Sequence, residues 1–204
     1  MPVLNDEDQR DKLDEAQKAF KYQVGLITNR MLTGDLGSHE WRLLFELEVR
    51  YLQIIAGILA AGSFDAFTPE VTALIQRRTE QELATLRTWL ASASLPTPQR
   101  SDAQILHRAS LYAGAAVETY SRARTLALGL PELPVYPKQR SQCNGGCLCF
   151  WRIEALDGDG NWDCAWITTA EESCPNCIAR ARAFAPLKVR GGVVLPYPTG
   201  GIYV

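Results

Sequence analysis

The stretch LPELPVYPKQRSQCNGGCLCFW, residues 130–151, divides the chain into two kinds of sequence. Pro131, Pro134 and Pro137 fall within seven positions. Each fixes φ and removes a backbone donor, which excludes helix and favours a stiff extended connection. Directly after it, three of the six cysteines, Cys143, Cys147 and Cys149, also fall within seven positions. The stretch is therefore read as a boundary. A helical domain occupies residues 1–129, a linker 130–142, a cysteine-rich module 143–185 and an extended C-terminal arm 186–204.

Upstream, apolar residues recur at three and four and the breaks carry cap chemistry, which predicts four helices. The first runs from about Asp6 to Met31, acidic in its opening turn, and stops near Thr33-Gly34. The second starts at Ser38 as N-cap and ends at Gly62. The third opens with Thr68-Pro69-Glu70, where Thr caps and Pro takes the first helical position. The fourth opens with a capping box, Ser101 and Gln104, and ends at Gly129. Its run ASLYAGAAVETYSRA, residues 109–123, is rich in small residues that let a neighbouring helix approach. The predicted packing is a four-helix bundle-like domain.

Downstream, CFWRIEAL and DCAWITTA are aromatic and β-branched runs separated by DGDGN, the pattern of a β-hairpin. CPNCIARARAFA follows as a knuckle entering a short helix. The tail from Pro186 has no helical period and is too apolar for a solvated end, so it is expected to lie against its own domain or a neighbouring subunit. The fold class is thus mainly α with a small zinc-ribbon-like module.

The 204 residues carry a net charge of −2 and are 47% hydrophobic and 22% charged, the profile of an ordinary globular chain without an overall electrostatic grip on nucleic acid. The acidic start MPVLNDEDQRDKLDE lacks the basic start and apolar core of a secretory signal. The most apolar run, LQIIAGILAAG at 52–62, is short of the roughly 20 residues that span a bilayer and reads as a buried helix. Without export the thiols are expected to stay reduced, and clustered reduced cysteines point to metal rather than disulfides.

A structural zinc takes four ligands in a tetrahedron and ties separated segments together. Cys174 and Cys177 have the tight spacing of a zinc knuckle. The earlier group offers three sulfurs for two places: Cys147 and Cys149 share a face of an extended strand and are favoured, with Cys143 competing. Cys164, flanked by Trp162 and Trp166, reads as a small buried hydrophobe. The two-residue spacing of Cys174 and Cys177 also occurs in thiol-disulfide oxidoreductases, but those sites follow a strand of an α/β sheet, which a helical first two thirds does not supply. A nucleic-acid-binding zinc ribbon is the other alternative, since Arg180, Arg182, Lys188 and Arg190 make the C-terminal end locally basic. Asp157-Gly-Asp159-Gly-Asn161 imitates the start of a calcium loop but has Trp162 where glycine and Thr168 where glutamate are needed, and reads as a hairpin turn. His39 and His107 sit in helices without a catalytic frame and are read as surface residues. The arginine pairs Arg77-Arg78 and Arg122 with Arg124 are read as exposed faces.

RASLYAGAAVETYSRAR (108–124), LPELPVYPKQRSQCNGGCLCFWRIE (130–154) and WITTAEESCPNC (166–177) together resemble the minor head or head-morphogenesis proteins of tailed bacteriophages. In that group a proline-rich stretch leads into a cysteine triplet and an aromatic strand, and a second cysteine pair follows a tryptophan-bearing strand. By this likeness Cys143, Cys147, Cys149, Cys174 and Cys177 match the recurring cysteines and Cys164 does not. The chain departs from the pattern at Leu148, where relatives carry a polar or basic residue, and at Ser173, where they often carry histidine. The resemblance implies a non-enzymatic virion component, made in the host bacterial cytoplasm. It would contact capsid, portal or neck proteins, in several copies or as a homo-oligomer, without a membrane and with at most weak DNA contact.

Overall fold

The computed structural model describes residues 6–63, 67–93, 101–137, 149–168 and 173–197. Over these residues the protein is mainly helical, with a small four-stranded antiparallel sheet in its C-terminal part. Three long helices come first: α1 (Asp6–Leu32), α2 (Ser38–Ala61) and α3 (Pro69–Ala93). Their ends follow the cap signals closely. Thr68 Oγ1 accepts from the Val71 N–H ahead of Pro69, and Gly62 closes α2 at φ 78°. The N-cap of α2 is Gly37 rather than Ser38, because Glu40 reaches back to accept from the Gly37 N–H at 3.2 Å and holds the turn one residue earlier.

The fourth helix is interrupted. After the Ser101–Gln104 capping box come α4 (Asp102–Leu111), a 3₁₀ turn at Tyr112–Gly114 and α5 (Ala115–Ala127). At the turn the buried Gln17 side chain of α1 donates to the Ala113 carbonyl at 2.8 Å, so a polar contact from a neighbouring helix coincides with the change of pitch. Ala109, Ala113, Ala116 and Ala123 are all fully buried, as close helix approach requires. Past α5, Leu130 N–H donates to Thr125 O and Gly129 N–H to Leu126 O, with Gly129 at φ 73°, a glycine-terminated helix end that turns the chain back on itself.

Helix α2 is the central helix and packs against α1, α3 and α5, while α4 lies on α1. The core is centred on Phe45, whose ring meets Trp89 at 5.9 Å, Tyr112 at 5.6 Å and Phe20 at 6.2 Å. These rings come from four helical elements. The neighbouring Trp41 is also fully buried and donates its indole N–H to Thr28 of α1 at 3.2 Å. Where α2 meets α3, Gly57 makes room for Ile75, since a Cβ there would overlap the Ile75 side chain. Of the arginines expected on exposed faces, Arg77 is exposed and the other three are engaged. Glu118 accepts from Arg78 at 3.0 Å and from Arg122 at 2.9 Å, and Arg122 continues to Glu132 at 2.7 Å. Arg124 approaches Asp6 at 3.7 Å. These three arginine side chains are one quarter exposed or less, and the Glu118 carboxylate between Arg78 and Arg122 is largely shielded, while Glu132 stays in solvent.

The sheet is a meander in the order β1 (Phe150–Ala155), β2 (Trp162–Ile167), β3 (Leu187–Arg190) and β4 (Val193–Val194), with α6 (Pro175–Ala183) between β2 and β3. Trp151 pairs with Trp166, Ile153 with Cys164, and Cys164 with Leu187. These residues share one face by alternation, and that face is the buried one. Residues 187–197, expected as an extended arm, are therefore largely part of the sheet. Leu187 and Val189 alternate inward with Lys188 and Arg190 outward, and Leu195 N–H donates to Lys188 O. The remainder of the arm, 198–204, lies outside the described residues.

The proline-rich stretch lacks helix, as its prolines demand, but residues 130–137 do not form a solvated linker. Leu130, Leu133, Val135 and Tyr136 are buried in the same core as the sheet. Trp151 donates its indole N–H to Val135 O at 2.9 Å, and the Tyr136 hydroxyl accepts from the Leu133 N–H at 3.0 Å and shares a hydrogen bond with Thr125 of α5 at 3.1 Å. On the opposite face of the sheet the Arg10 guanidinium lies 3.8 Å from the Phe150 ring centre.

Phe45→Ala is expected to lower the unfolding free energy by about 3–5 kcal/mol in chemical denaturation, the range for emptying a packed aromatic site. Gly57→Ala is expected to destabilise as well, against the roughly 0.5–1 kcal/mol that a helix interior ordinarily gains from that exchange. Combining it with Ile75→Val should recover part of the loss in the same measurement.

Candidate functional site

Four of the six cysteines lie among the described residues. Cys149 directly precedes β1 and is buried; Cys177, in the first turn of α6, is fully buried; Cys174, the residue that caps α6, is half-buried. Cys174 holds an extended conformation, φ −62° and ψ 153°, and its carbonyl accepts from the Ile178 N–H at 3.1 Å. Pro175, at the first helical position where no donor is needed, enforces that start. Cys143 and Cys147 lie outside the described residues.

The described cysteines all lie in or against the core under the sheet. Phe150 pairs with Ile167, so Cys149 enters the sheet beside the point where β2 leaves it towards α6. Cys149, Cys164 and Cys177 belong to the core under the sheet, with Cys174 packed against it. Cys164 stands apart: it is three rungs, about 10 Å, up the ladder from the Phe150–Ile167 pair. Among the described residues no three His, Cys, Asp or Glu side chains are grouped closely enough to hold a metal ion. A four-sulfur site on this scaffold needs a ligand from residues 143–148.

Cys164 behaves as the buried hydrophobe its flanking tryptophans suggest. Its side chain is wholly enclosed, and burial, with Asp163 next to it, pushes the thiol up to about 12. Burial disfavours the thiolate, the form that would act as ligand or nucleophile.

The basic C-terminal end is less available than its composition implies. Arg180, three residues after Cys177 on α6, is fully buried with its guanidinium 5.4 Å from the Trp166 ring centre. Arg190 donates to Asp163 at 2.7 Å and to the Trp162 and Val189 carbonyls, both at 2.8 Å. That leaves Arg182 and Lys188 exposed. The burial of Arg180 follows from the helical period, which sets residues three apart on one face; its positive charge concealed that in the sequence.

In the β1–β2 loop the Asp157 carboxylate is satisfied by the loop itself. Asn161 Nδ2 donates to one oxygen at 2.8 Å and the Asp159 N–H to the other at 2.9 Å, and these donors hold Asp157 below the usual carboxylate range. Asn161 Oδ1 accepts from the Gly191 N–H at 2.9 Å, and Gly160 O from the Gly192 N–H at 3.1 Å. The loop is a turn that docks on the β3–β4 turn. His39 and His107 are exposed on α2 and α4. A cleft of about 410 Å³ opens where α6 runs into β3, walled by Ala165, Ile167, Phe184 and Pro186 with Arg152 and Asp163. Among the described residues no helix is long and apolar enough to cross a membrane.

Comparison of the chain with protein-family models, with curated proteins and with solved structures finds no match.

The enclosure of Cys164 gives a pH dependence. The folded state keeps the Cys164 proton to about pH 12, whereas the unfolded chain releases it near pH 8.5. Stability is therefore full below about pH 8 and falls as pH rises beyond that. Denaturation curves from pH 7 to 11 are expected to show this fall, and Cys164→Ala should flatten it. In the folded protein at pH 8, iodoacetamide should leave Cys164 unlabelled by peptide mass mapping and label it once denaturant is added.

Proposed function

We propose that this chain is a non-enzymatic structural protein of a tailed-phage particle, a minor capsid, cement or connector component, whose C-terminal module is clasped by a structural zinc ion in the manner of a zinc ribbon. What supports the clasp is that Cys149 and Cys177 belong to one core with Cys174 packed against it; the three are not themselves grouped closely enough to hold an ion, so the clasp requires them to draw together around it. Cys149, Cys174 and Cys177 would be ligands, with Cys147 or Cys143 as the fourth. Zinc bound there supplies no chemistry beyond cross-linking. Such a link contributes on the order of 10 kcal/mol to the folding of small zinc modules, and a sheet of two six-residue strands with short partners has need of it. The helices, residues 1–129, would form the docking body and residues 143–185 the clasped module.

The assignment to a particle rests on the sequence likeness over residues 105–185. It is supported by the engagement of Arg180 and Arg190 within the fold, which reduces what a nucleic-acid-binding ribbon could offer to phosphate. It is supported also by the antiparallel meander around the cysteines, since a redox dithiol of the thioredoxin kind follows a strand of an α/β sheet.

Elemental analysis of the full chain expressed with zinc in the medium is expected to find one zinc per chain, lost in Cys177→Ser and kept in Cys164→Ala. Chelation should reduce the near-ultraviolet circular dichroism of Trp151 and Trp166 and leave the far-ultraviolet helical signal. Zinc-free protein with unchanged melting on chelation would overturn the clasp. Absence of the chain from mass spectra of purified particles of a phage encoding it would overturn the particle assignment.

A further inference from the structure

Helix α2 is apolar on both sides. Its inner face, Trp41, Phe45, Val49, Leu52 and Ala56, is buried against α1, α3 and α5. Its outer face carries Leu43, Leu47, Tyr51 and Ile54, exposed at 47%, 60%, 65% and 47%, and continues to the half-buried Ile58. Spaced at four, four, three and four residues, these five side chains form one stripe along about 22 Å of helix. A contiguous apolar stripe exposed on a helix marks an interaction surface.

We propose that this outer face of α2 is where two copies of the chain pair, antiparallel, about a twofold axis between Arg50 and Tyr51. The stripe is self-complementary in the way a twofold interface requires. Reversed about that point, Leu43 falls opposite Ile58 of the second copy and Leu47 opposite Ile54, while Tyr51 of each copy lies beside the axis. The exposed parts of the four α2 side chains come to roughly 400 Å² of apolar surface a side, close to the apolar share of a standard interface of about 800 Å² per partner.

The rim on the α3 side is already neutralised within each copy, by Arg50 with Glu80 at 3.1 Å and Arg87 with Glu46 at 2.8 Å, so pairing sets no uncompensated like charges together there. A second copy also fits better than an unrelated partner, because an unrelated surface does not require the stripe to match its own reverse. The pairing is independent of the zinc clasp, which lies in the sheet.

Sedimentation equilibrium of the full chain is expected to give twice the 22.6 kDa chain mass. Leu47→Glu places an unpaired carboxylate in the interface of each copy, and should weaken association by about 100-fold or more. Its circular dichroism and zinc content should be those of the parent, since Leu47 supports no core. Leu47→Glu combined with Ile54→Lys sets opposite charges against each other twice across the axis and is expected to restore a dimer that weakens with salt. A parent chain that stays monomeric at hundreds of micromolar would overturn the proposal. So would a dimer that survives Leu47→Glu, or a double variant that stays monomeric. Should Leu47→Glu misfold, Tyr51→Cys replaces it: mild oxidation must link two copies through residue 51, and failure to do so equally overturns the pairing.

Discussion

A four-stranded sheet with strands of six, six, four and two residues has to be covered on one face, and the C-terminal third is arranged around that requirement. The cover comes from both directions along the chain. Residues 130–136 arrive from α5 and lay Leu133, Val135 and Tyr136 on the face, while α6 and Phe184 arrive from β2. Trp151 joins the two, meeting Trp166 edge-on at 5.2 Å and Phe184 at 5.1 Å and donating to the Val135 carbonyl. The polar tips of Trp151 and Tyr136 meet backbone of the cover, whereas the buried Trp166 indole N–H has no hydrogen-bond partner among the described residues.

The helical part solves a different problem. Four elements converge on Phe45, and an edge-to-face aromatic arrangement fixes their mutual rotation as well as burying area. Around this core runs a charged seam, Arg78 to Glu118 to Arg122 to Glu132, that links α3 and α5 to the start of the sheet cover. Removing one member would leave its partners poorly solvated, so the seam contributes register more than net stability.

Much of this was legible because local chemistry decided it. Thr68-Pro69, the Ser101–Gln104 box and the glycines at 62 and 129 each act within a turn and marked the ends correctly. The hairpin was legible from its alternating aromatics and its DGDGN loop. What escaped depended on distant partners. Gln17 reaches Ala113 from ninety-six positions away, and nothing within residues 109–123 announces the change of pitch. Arg78 and Glu118 are forty apart, so only the weaker Arg78–Glu82 contact could be read locally. Proline excludes helix whether a segment is solvated or packed; the apolar residues between Pro131 and Pro137 were the discriminating signal. The β3 alternation was likewise present, but the glycines and prolines around it suggested an arm. The apolar run at 52–62 pointed to burial, and the fold buries or half-buries all of it but Ile54.

The Tyr136 hydroxyl has a mechanical consequence. It bridges Thr125 and the Leu133 backbone while its ring lies 4.2 Å beneath Arg122, all within a dozen residues of the glycine turn. Chain leaving α5 is folded back and fastened at Tyr136, which with Leu133 and Val135 belongs to the core under the strands. Tension applied to the strands would load this rivet in shear before any helix felt it, and thermal tilting of one half would be passed to the other instead of being absorbed by a loose tether.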